Sequence, residues 1–228
     1  MWLSEDPALF PDIDDALTDP NGLLAVGGDL SEARLIAAYR QGIFPWFDDD
    51  QPILWWSPNP RSVIYPNEFK PSKSLRKAIR QNQFKVTFDT CFVDVIRKCA
   101  QPRSDDSGTW IDSDIQKAYS ELHKLGCAHS IECWKDGELV GGLYGIAMGG
   151  VFFGESMFST QSNASKVAFS ALCSQLTTWG FGLIDCQVHN AHLESLGAIE
   201  VSREVFLAKL NTALLQSNQE DWHFDGFK

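Results

Sequence analysis

The sequence predicts an α+β fold, in which a small N-terminal domain of residues 1–62 precedes a mixed-sheet domain of residues 63–228. Three observations support this prediction. The first sixty residues are rich in proline, glycine and tryptophan and hold one clear helix signal; regular strand and helix signals begin at Arg61; and three consecutive strand-like runs are joined by short turns that contain glycine. With 44% hydrophobic and 21% charged residues, the chain has the composition of a packed globular protein.

The N-terminal part contains one helix and a group of aromatic residues. Ser31 is placed to cap the helix and Gly42 to end it. The segments GIFPWF and PILWWSPNPR then bring five Phe and Trp side chains into a stretch whose prolines prevent a continuous helix or a central strand. Such residues suit either the core of a small domain or an apolar rim around a ligand, and the sequence leaves both open.

The remaining chain predicts one sheet with helices on both faces. A strand at SVIY and a helix at SKSLRKAIRQ come first. From Phe84 the predicted order is a strand, two helices, three strands, a helix, a strand (LIDCQV) and a helix. This is the order of the acetyltransferase-like (GNAT) fold, an analogy that concerns fold and not reaction. The last helix is expected from Ser202 to Leu215, followed by a loose tail.

Charge is unevenly distributed along this acidic chain. The formal net charge is −11, yet ten of the 19 Lys and Arg residues lie between Arg61 and Arg103, against three acidic residues. Within this stretch, four cations recur at helical spacing after Ser72: Lys73, Arg76, Lys77 and Arg80. They form either the solvated face of a helix or a positive patch that would orient a polyanion on an otherwise repellent surface.

The sequence favours a cytoplasmic protein without metal or cofactor. We find no apolar run long enough to span a membrane and no basic and apolar leader, and the six cysteines contain no CxxC pair, which suits reduced thiols. Cys186, His189 and His192 are spaced like metal ligands, but a strand-to-helix passage would scatter them and no second cluster completes the set.

Two segments carry polar residues where a site would need them. If LIDCQV is a strand, Asp185 and Gln187 point to one face, and an apolar set points to the other. The pair is then either a ligand site or a satisfied polar pair at a strand end, and we favour the site. Glu155 lies in the apolar run GGVFFGESMFS beside Gly154, which allows close backbone approach; this carboxylate either pairs with a substrate cation or faces water.

A glycine-rich phosphate loop is missing where acyl-CoA enzymes of this fold carry one. The segment before the helix that starts near Asn163 reads FSTQSNASK. Free N–H groups at the start of that helix still suit a phosphate, but coenzyme A is disfavoured.

Ten strings occur in order between Asn21 and Ala198: NGLLAVGGDLS, AYRQGIFPWF, PILWWSPNPR, GTWI, AHSIECW, GELVGGLYG, FFGESMFS, NASK, LIDCQ and SLGA. Together they resemble the leucyl/phenylalanyl-tRNA–protein transferase family over nearly the whole chain. The resemblance implies a cytoplasmic enzyme that moves Leu or Phe, and Met weakly, from leucyl-tRNA or phenylalanyl-tRNA to proteins that begin with Arg or Lys, and so marks them for degradation by the N-end rule. A monomer is the default expectation.

The resemblance also implies roles for residues of this chain. Asp185 and Gln187 would be the catalytic pair. The aminoacyl-adenosine site would comprise Glu155, Met157 and Ser159, and the surrounding pocket would be lined by Tyr39, Trp46, Trp110, Tyr119, Leu143 and Phe152. The basic stretch would hold the tRNA acceptor stem. Two rivals stay open at this point: an acyl-CoA enzyme of the same fold, and a tRNA-binding module without activity.

Overall fold

The computed structural model describes residues 1–48, 50–101 and 110–227. The strands are β1 (Leu23–Val26), β2 (Phe44–Pro45), β3 (Leu54–Trp56), β4 (Arg61–Ile64), β5 (Lys85–Phe88), β6 (Ala128–Lys135), β7 (Glu138–Met148), β8 (Val151–Ser159), β9 (Leu183–Asp185) and β10 (Ile199–Val201). The α-helices are α1 (Glu32–Arg40), α2 (Lys73–Arg80), α3 (Phe92–Cys99), α4 (Ser113–Lys124), α5 (Ala164–Thr178), α6 (Ala191–Ser195) and α7 (Arg203–Ala213). Short 3-10 turns lie at Ile13–Asp15 and Pro66–Glu68.

The N-terminal elements form a small antiparallel sheet with strand order β1-β3-β2 beside helix α1. Ser31 caps α1 as expected, because its side chain accepts the N–H of Arg34. Some aromatic residues of this part form the core and others line a ligand cavity, so each of the two interpretations of the sequence holds for part of them. Trp55 is fully buried and donates from Nε1 to the carbonyl of Gly27 at 2.8 Å, whereas Trp46 is 46% exposed and lines the cavity described below.

A seven-stranded sheet with strand order β10-β4-β9-β8-β7-β6-β5 forms the main layer. Strands β8 and β9 pair in parallel, and the other neighbouring pairs are antiparallel. The predicted α+β class with a mixed sheet is therefore confirmed. Strand β4, which corresponds to the predicted SVIY strand, lies between β10 and β9, so Arg61 is the first residue of the chain that belongs to this sheet.

Helices cover both faces of the large sheet. On one face, α3 and α4 pack with the N-terminal elements in an apolar core that includes Phe92, Ile115 and Tyr39. On the other face, α5 and α2 share a second core, to which they contribute Phe169 and Leu75. The sheet thus separates two apolar layers, as burial of a central sheet on both faces requires.

The structure corrects two expectations. The predicted LIDCQV strand ends at Asp185, and Gln187 adopts a left-handed backbone conformation with φ 56°, so the two side chains do not share one face of a strand. The predicted loose tail forms no helix or strand up to residue 227, but one of its side chains, Trp222, is buried in the protein. Trp222 is 7% exposed and belongs to the second core, and the centroid of its ring lies 3.8 Å from that of the stacked His129 ring.

Within the described residues, none of the helices combines the length and the apolar character needed to cross a bilayer.

Candidate active site

A cavity opens where the two parallel strands separate. Strands β8 and β9 pair from Val151 opposite Leu183 to Phe153 opposite Asp185, after which β9 ends and β8 continues to Ser159. The space between them is a cavity of about 560 Å³ whose wall contains both Glu155 and Gln187. A cleft of this kind, with a largely apolar wall and a few polar groups, is the usual form of a small-ligand site.

A β-bulge in strand β8 sets the position of Glu155. Tyr144 on β7 pairs with Ser156 and Gly145 pairs with Gly154, which leaves Glu155 as the extra residue. The close approach at this bulge occurs at Gly145, where a Cβ would lie 2.2 Å from the carbonyl oxygen of Phe153. At Gly154 a Cβ would make only an ordinary 3.6 Å contact, so the close approach that the sequence suggested at Gly154 belongs to its partner strand.

Two tyrosine hydroxyls hold the Glu155 carboxylate. Tyr39 on α1 donates to Oε1 at 2.7 Å, Tyr119 on α4 donates to Oε2 at 3.2 Å, and the two hydroxyls also contact each other. Burial raises the pKa of Glu155 to about 7, although both tyrosine hydrogen bonds act to lower it. Burial also raises the pKa of both tyrosines well above the ordinary value, so they remain protonated donors near neutral pH.

The Gln187 carboxamide lies beside this carboxylate. Its Nε2 donates to Oε1 of Glu155 at 3.4 Å, so its oxygen is turned away from the carboxylate. The backbone N–H of Gln187 donates to Oδ1 of Asp185 at 3.0 Å. In the motif LIDCQ, a hydrogen bond from the backbone of Gln187 therefore links it to Asp185, and the two side chains do not lie side by side.

Asp185 lies behind the cavity wall. It is fully buried, and the guanidinium of Arg61 donates to both of its carboxylate oxygens, from Nε at 2.8 Å and from Nη2 at 2.7 Å. Asp185 is absent from the cavity lining, whereas Cys186 next to it contributes to the wall. Gln187 is thus the member of the sequence-predicted pair that faces the cavity.

Most of the other residues expected at the substrate site lie around the same cavity. Those in its wall are Trp46, Trp110, Leu143, Phe152 and Met157. Tyr39 and Tyr119 were expected in the wall but do not line the cavity: both are fully buried and contact the site by their hydrogen bonds to Glu155. Ser159 does not line the cavity: it donates to the carbonyl of Gln161 at 2.7 Å and accepts the N–H of Ser165 at 3.3 Å, so it helps to form the start of α5.

Sequence reasoning missed several wall residues. Phe169 and Leu172 come from α5, and His192 from α6 contributes an imidazole whose Nε2 lies 3.2 Å from Sδ of Met157. Tyr144 is fully buried in the wall, and its hydroxyl has no hydrogen-bond partner among the described residues. The sequence predicted a helix that starts near Asn163, but nothing in it separated core positions from cavity positions.

The predicted basic residues lie on the exposed face of α2. All four cations, Lys73, Arg76, Lys77 and Arg80, are exposed, while Leu75 and Ala78 pack into the protein. In the part of the chain that the structure describes, none of them reaches a carboxylate at salt-bridge distance. Arg61, which the sequence counted with this stretch, is buried instead, and Arg103 lies outside the described residues.

Comparisons with known proteins agree over the whole chain. Residues 63–211 match the family model described as leucyl/phenylalanyl-tRNA protein transferase, and residues 28–59 match the model for its N-terminal domain. A transferase of this name from Saccharophagus degradans is 58% identical over all of this chain and 93% of its own length. Another from Nitrosospira multiformis is 58% identical over 98% of this chain and 97% of its own.

Solved structures with similar folds are more distant. L-PGS from Bacillus licheniformis aligns with a TM-score of 0.42 and 11% identity over 73% of this chain and 53% of its own. A GCN5-related N-acetyltransferase-like protein from Streptococcus suis aligns with a TM-score of 0.30 and 13% identity over 88% of this chain and 68% of its own.

Fold, cavity and sequence together describe an enzyme of the transferase class. The chain belongs to the leucyl/phenylalanyl-tRNA–protein transferase family. Its substrates are accordingly an aminoacyl-tRNA and a protein.

Proposed function

We propose that this enzyme transfers Leu or Phe, and Met weakly, from its aminoacyl-tRNA to the N-terminal α-amine of proteins that begin with Arg or Lys, in the cytoplasm and as a monomer. The product would be marked for degradation by the N-end rule. The observation that carries the proposal is the pair formed by Glu155 and Gln187 in the wall of an otherwise apolar cavity where β8 and β9 separate.

The cavity suits an amino acid with an apolar side chain esterified to a terminal adenosine. Leu143, Phe152 and Met157 supply apolar surface, and Trp46 and Trp110 supply flat aromatic surface. An apolar pocket distinguishes ligands by only about 1–3 kcal/mol per methylene group, so one pocket accepts both Leu and Phe. This supports a donor selected by shape.

Direct attack of the protein amine on the ester fits the groups at the site. An aminoacyl ester is already activated, and a peptide α-amine with a pKa of about 7.7–8.0 is partly neutral near pH 7. The nitrogen attacks the ester carbonyl, the bond from that carbonyl carbon to the ribose oxygen breaks, and an amide forms. One amine proton ends on the departing ribose oxygen, so no covalent enzyme intermediate is required.

Gln187 would aim the amine. Because its Nε2 is engaged by Glu155, its oxygen is the end available to accept a hydrogen bond from the attacking nitrogen. Of the roles considered for Asp185, fixing Gln187 from behind is the one we propose, because its carboxylate accepts the Gln187 N–H while its charge is paired with Arg61 away from the cavity. The sequence offered Glu155 as a receiver of the substrate's Lys or Arg side chain; its three hydrogen bonds favour a role in holding Gln187 instead.

The exposed cations of α2 would contact phosphates of the tRNA acceptor stem. Such contacts position the RNA with little regard to its sequence and weaken with salt. Helix α2 packs in the same apolar core as α5, whose Phe169 lines the cavity.

Transfer of labelled leucine tests the proposal. The purified protein is incubated with labelled leucyl-tRNA and a model protein that begins with Arg, with the same protein beginning with Ser as the control. We expect label in the Arg protein alone, and Asp185→Ala should abolish most transfer while tRNA binding stays nearly unchanged. No label in protein would overturn the proposal. Transfer of acetyl groups from acetyl-CoA, or tRNA binding without transfer, would favour one of the two rivals.

A further inference from the structure

Arg61, the first residue of β4, is buried between two aromatic rings behind the candidate active site. Its Cζ lies 4.7 Å from the ring centroid of Phe44 and 4.5 Å from that of Phe206. Its Nε and Nη2 form the two-bond fork to Asp185 described above, which is the strongest geometry available to an Arg–carboxylate pair. The guanidinium is thereby fixed in its plane by rings and in its direction by the carboxylate.

A buried ion pair of this kind is not explained by stability alone. Removing two charges from water is costly, and apolar residues of similar volume often stabilise a fold as well or better. What the pair does provide is a fixed orientation of the Asp185 carboxylate. Oδ1 of Asp185 accepts one hydrogen bond from Arg61 and another from the backbone N–H of Gln187, so this orientation matters for Gln187.

Gln187 needs such a fixed acceptor. Its φ of 56° lies in the left-handed region, which a residue with a side chain adopts at a cost of about 1 kcal/mol or more. The hydrogen bond from its N–H to Asp185, two residues earlier, offsets that cost and holds the turn. The same turn presents the carboxamide to Glu155 and to the cavity.

We propose that Arg61 is a positioning residue for transfer: through Asp185 it fixes the backbone turn at Gln187 and hence the place of the carboxamide in the cavity. This inference rests on the proposed function. Lys cannot replace Arg61 here, because an ammonium is a point donor on a flexible stem and cannot hold both carboxylate oxygens in one plane.

Arg61→Lys tests the role, with Arg34→Lys as a matched control. Arg34 is also fully buried and lies beside an aspartate, Asp29 at 3.5 Å, but it does not line the cavity. We expect Arg61→Lys to lower kcat for leucine transfer about 10-fold to 100-fold with KM for leucyl-tRNA within about 2-fold, since misplacement by 1 Å costs about that much. Arg34→Lys also replaces a buried guanidinium, so it should lower Tm, but it should leave kcat unchanged. Equal kcat for the two variants would overturn the proposal.

Two further measurements isolate the path through Gln187. In single-turnover assays, Arg61→Lys should add little to the loss caused by Gln187→Ala, whereas additive losses would contradict the path. Amide hydrogen exchange needs no activity: in Arg61→Lys, the Gln187 N–H should exchange at least about 10-fold faster while β8 amides keep their protection. An unchanged Gln187 amide would overturn this inference. Failure of the wild-type protein to transfer leucine would overturn the proposed function instead.

Discussion

The hydroxyl of Tyr39 donates to Oε1 of Glu155 at 2.7 Å and so joins the first helix of the chain to the bulge in the middle of β8. The same carboxylate oxygen accepts a hydrogen bond from Nε2 of Gln187. An N-terminal helix therefore helps to determine the charge and the position of a group in the cavity of the large sheet. This relationship gives the site a pH dependence with a definite sign.

We expect transfer to decline as the pH falls through about 7, because Glu155 titrates there and its ionised form is the better acceptor for Gln187. The Tyr39 hydrogen bond lowers the pKa of Glu155, so Tyr39→Phe should raise that pKa and move the acidic limb of the profile to higher pH. A hydrogen bond to a charged group is worth about 1.5 kcal/mol or more, which corresponds to a displacement of about one pH unit. The measurement is the single-turnover rate of leucine transfer against pH.

The attacking amine titrates in a neighbouring range, so the control must keep the acceptor protein constant. Tyr65→Phe suits this purpose, because Tyr65 lies outside the cavity wall and packs under Lys209. Its profile should coincide with that of the wild-type protein. A Tyr39→Phe profile that also coincides with it would show that Glu155 does not control transfer.

The basic face of α2 predicts salt-dependent binding. Replacing Arg76 and Lys77 together by Ala removes two exposed cations without touching the buried residues of the helix. Each phosphate contact contributes about 0.7–0.9 to the slope of log K against log salt, so the loss of two contacts should flatten this slope by about 1.4–1.8. Filter binding or fluorescence titration of leucyl-tRNA over a range of salt concentrations measures it.

A double variant on α4 provides the control for charge alone. Lys117 and Lys124 are exposed like the α2 cations, but α4 packs on the opposite face of the sheet. Replacing both by Ala changes the net charge equally and should leave the salt slope unchanged. If both double variants flatten the slope alike, binding depends on overall charge and not on α2.

The burial of Trp222 predicts that the C-terminal tail contributes to stability. Trp222 stacks on His129, and its ring centroid lies 6.0 Å from that of Phe152 in the cavity wall. Trp222→Ala should lower the free energy of unfolding by about 3–5 kcal/mol, as expected for removal of a large buried ring. Urea unfolding measures this loss. Phe227→Ala, which removes a 39% exposed ring, is the control and should cost less than about 1 kcal/mol.

The sequence predicted six of the seven strands of the large sheet and the motifs of the site, because these depend on local signals; the short edge strand β10 was missed. Strand-like runs joined by short turns with glycine marked β6, β7 and β8, and capping residues such as Ser31 and Ser202 marked helix starts. The packing of Trp222 could not be predicted, because its partners come from distant strands and helices. The pairing of Arg61 with Asp185 joins residues 124 apart and left no local pattern.

The placement of Asp185 illustrates the same limit inside the site. Alternation along an extended strand placed its side chain next to that of Gln187, and this required the strand to continue through both residues. The left-handed turn at Gln187 ends the strand instead, and a left-handed glutamine has no sequence signature like that of glycine. The motif therefore identified the residues of the site, whereas the geometry that relates them follows from tertiary contacts.

The bulge at Glu155 gives the last prediction. Gly145→Ala would bring a Cβ to 2.2 Å from the carbonyl oxygen of Phe153 and 2.6 Å from the ring of Phe152. Backbone atoms cannot yield at that distance, so β7 and β8 must separate locally and displace Glu155 from its tyrosines.

We expect Gly145→Ala to destabilise the protein by about 1–3 kcal/mol and to lower leucine transfer by more than the unfolded fraction explains. Gly182→Ala is the matched control, since a Cβ there would meet no atom within 4 Å, and it should preserve both stability and transfer. Thermal unfolding and single-turnover transfer, measured on the same samples, separate the two effects. Full transfer by folded Gly145→Ala would show that the bulge geometry does not determine activity.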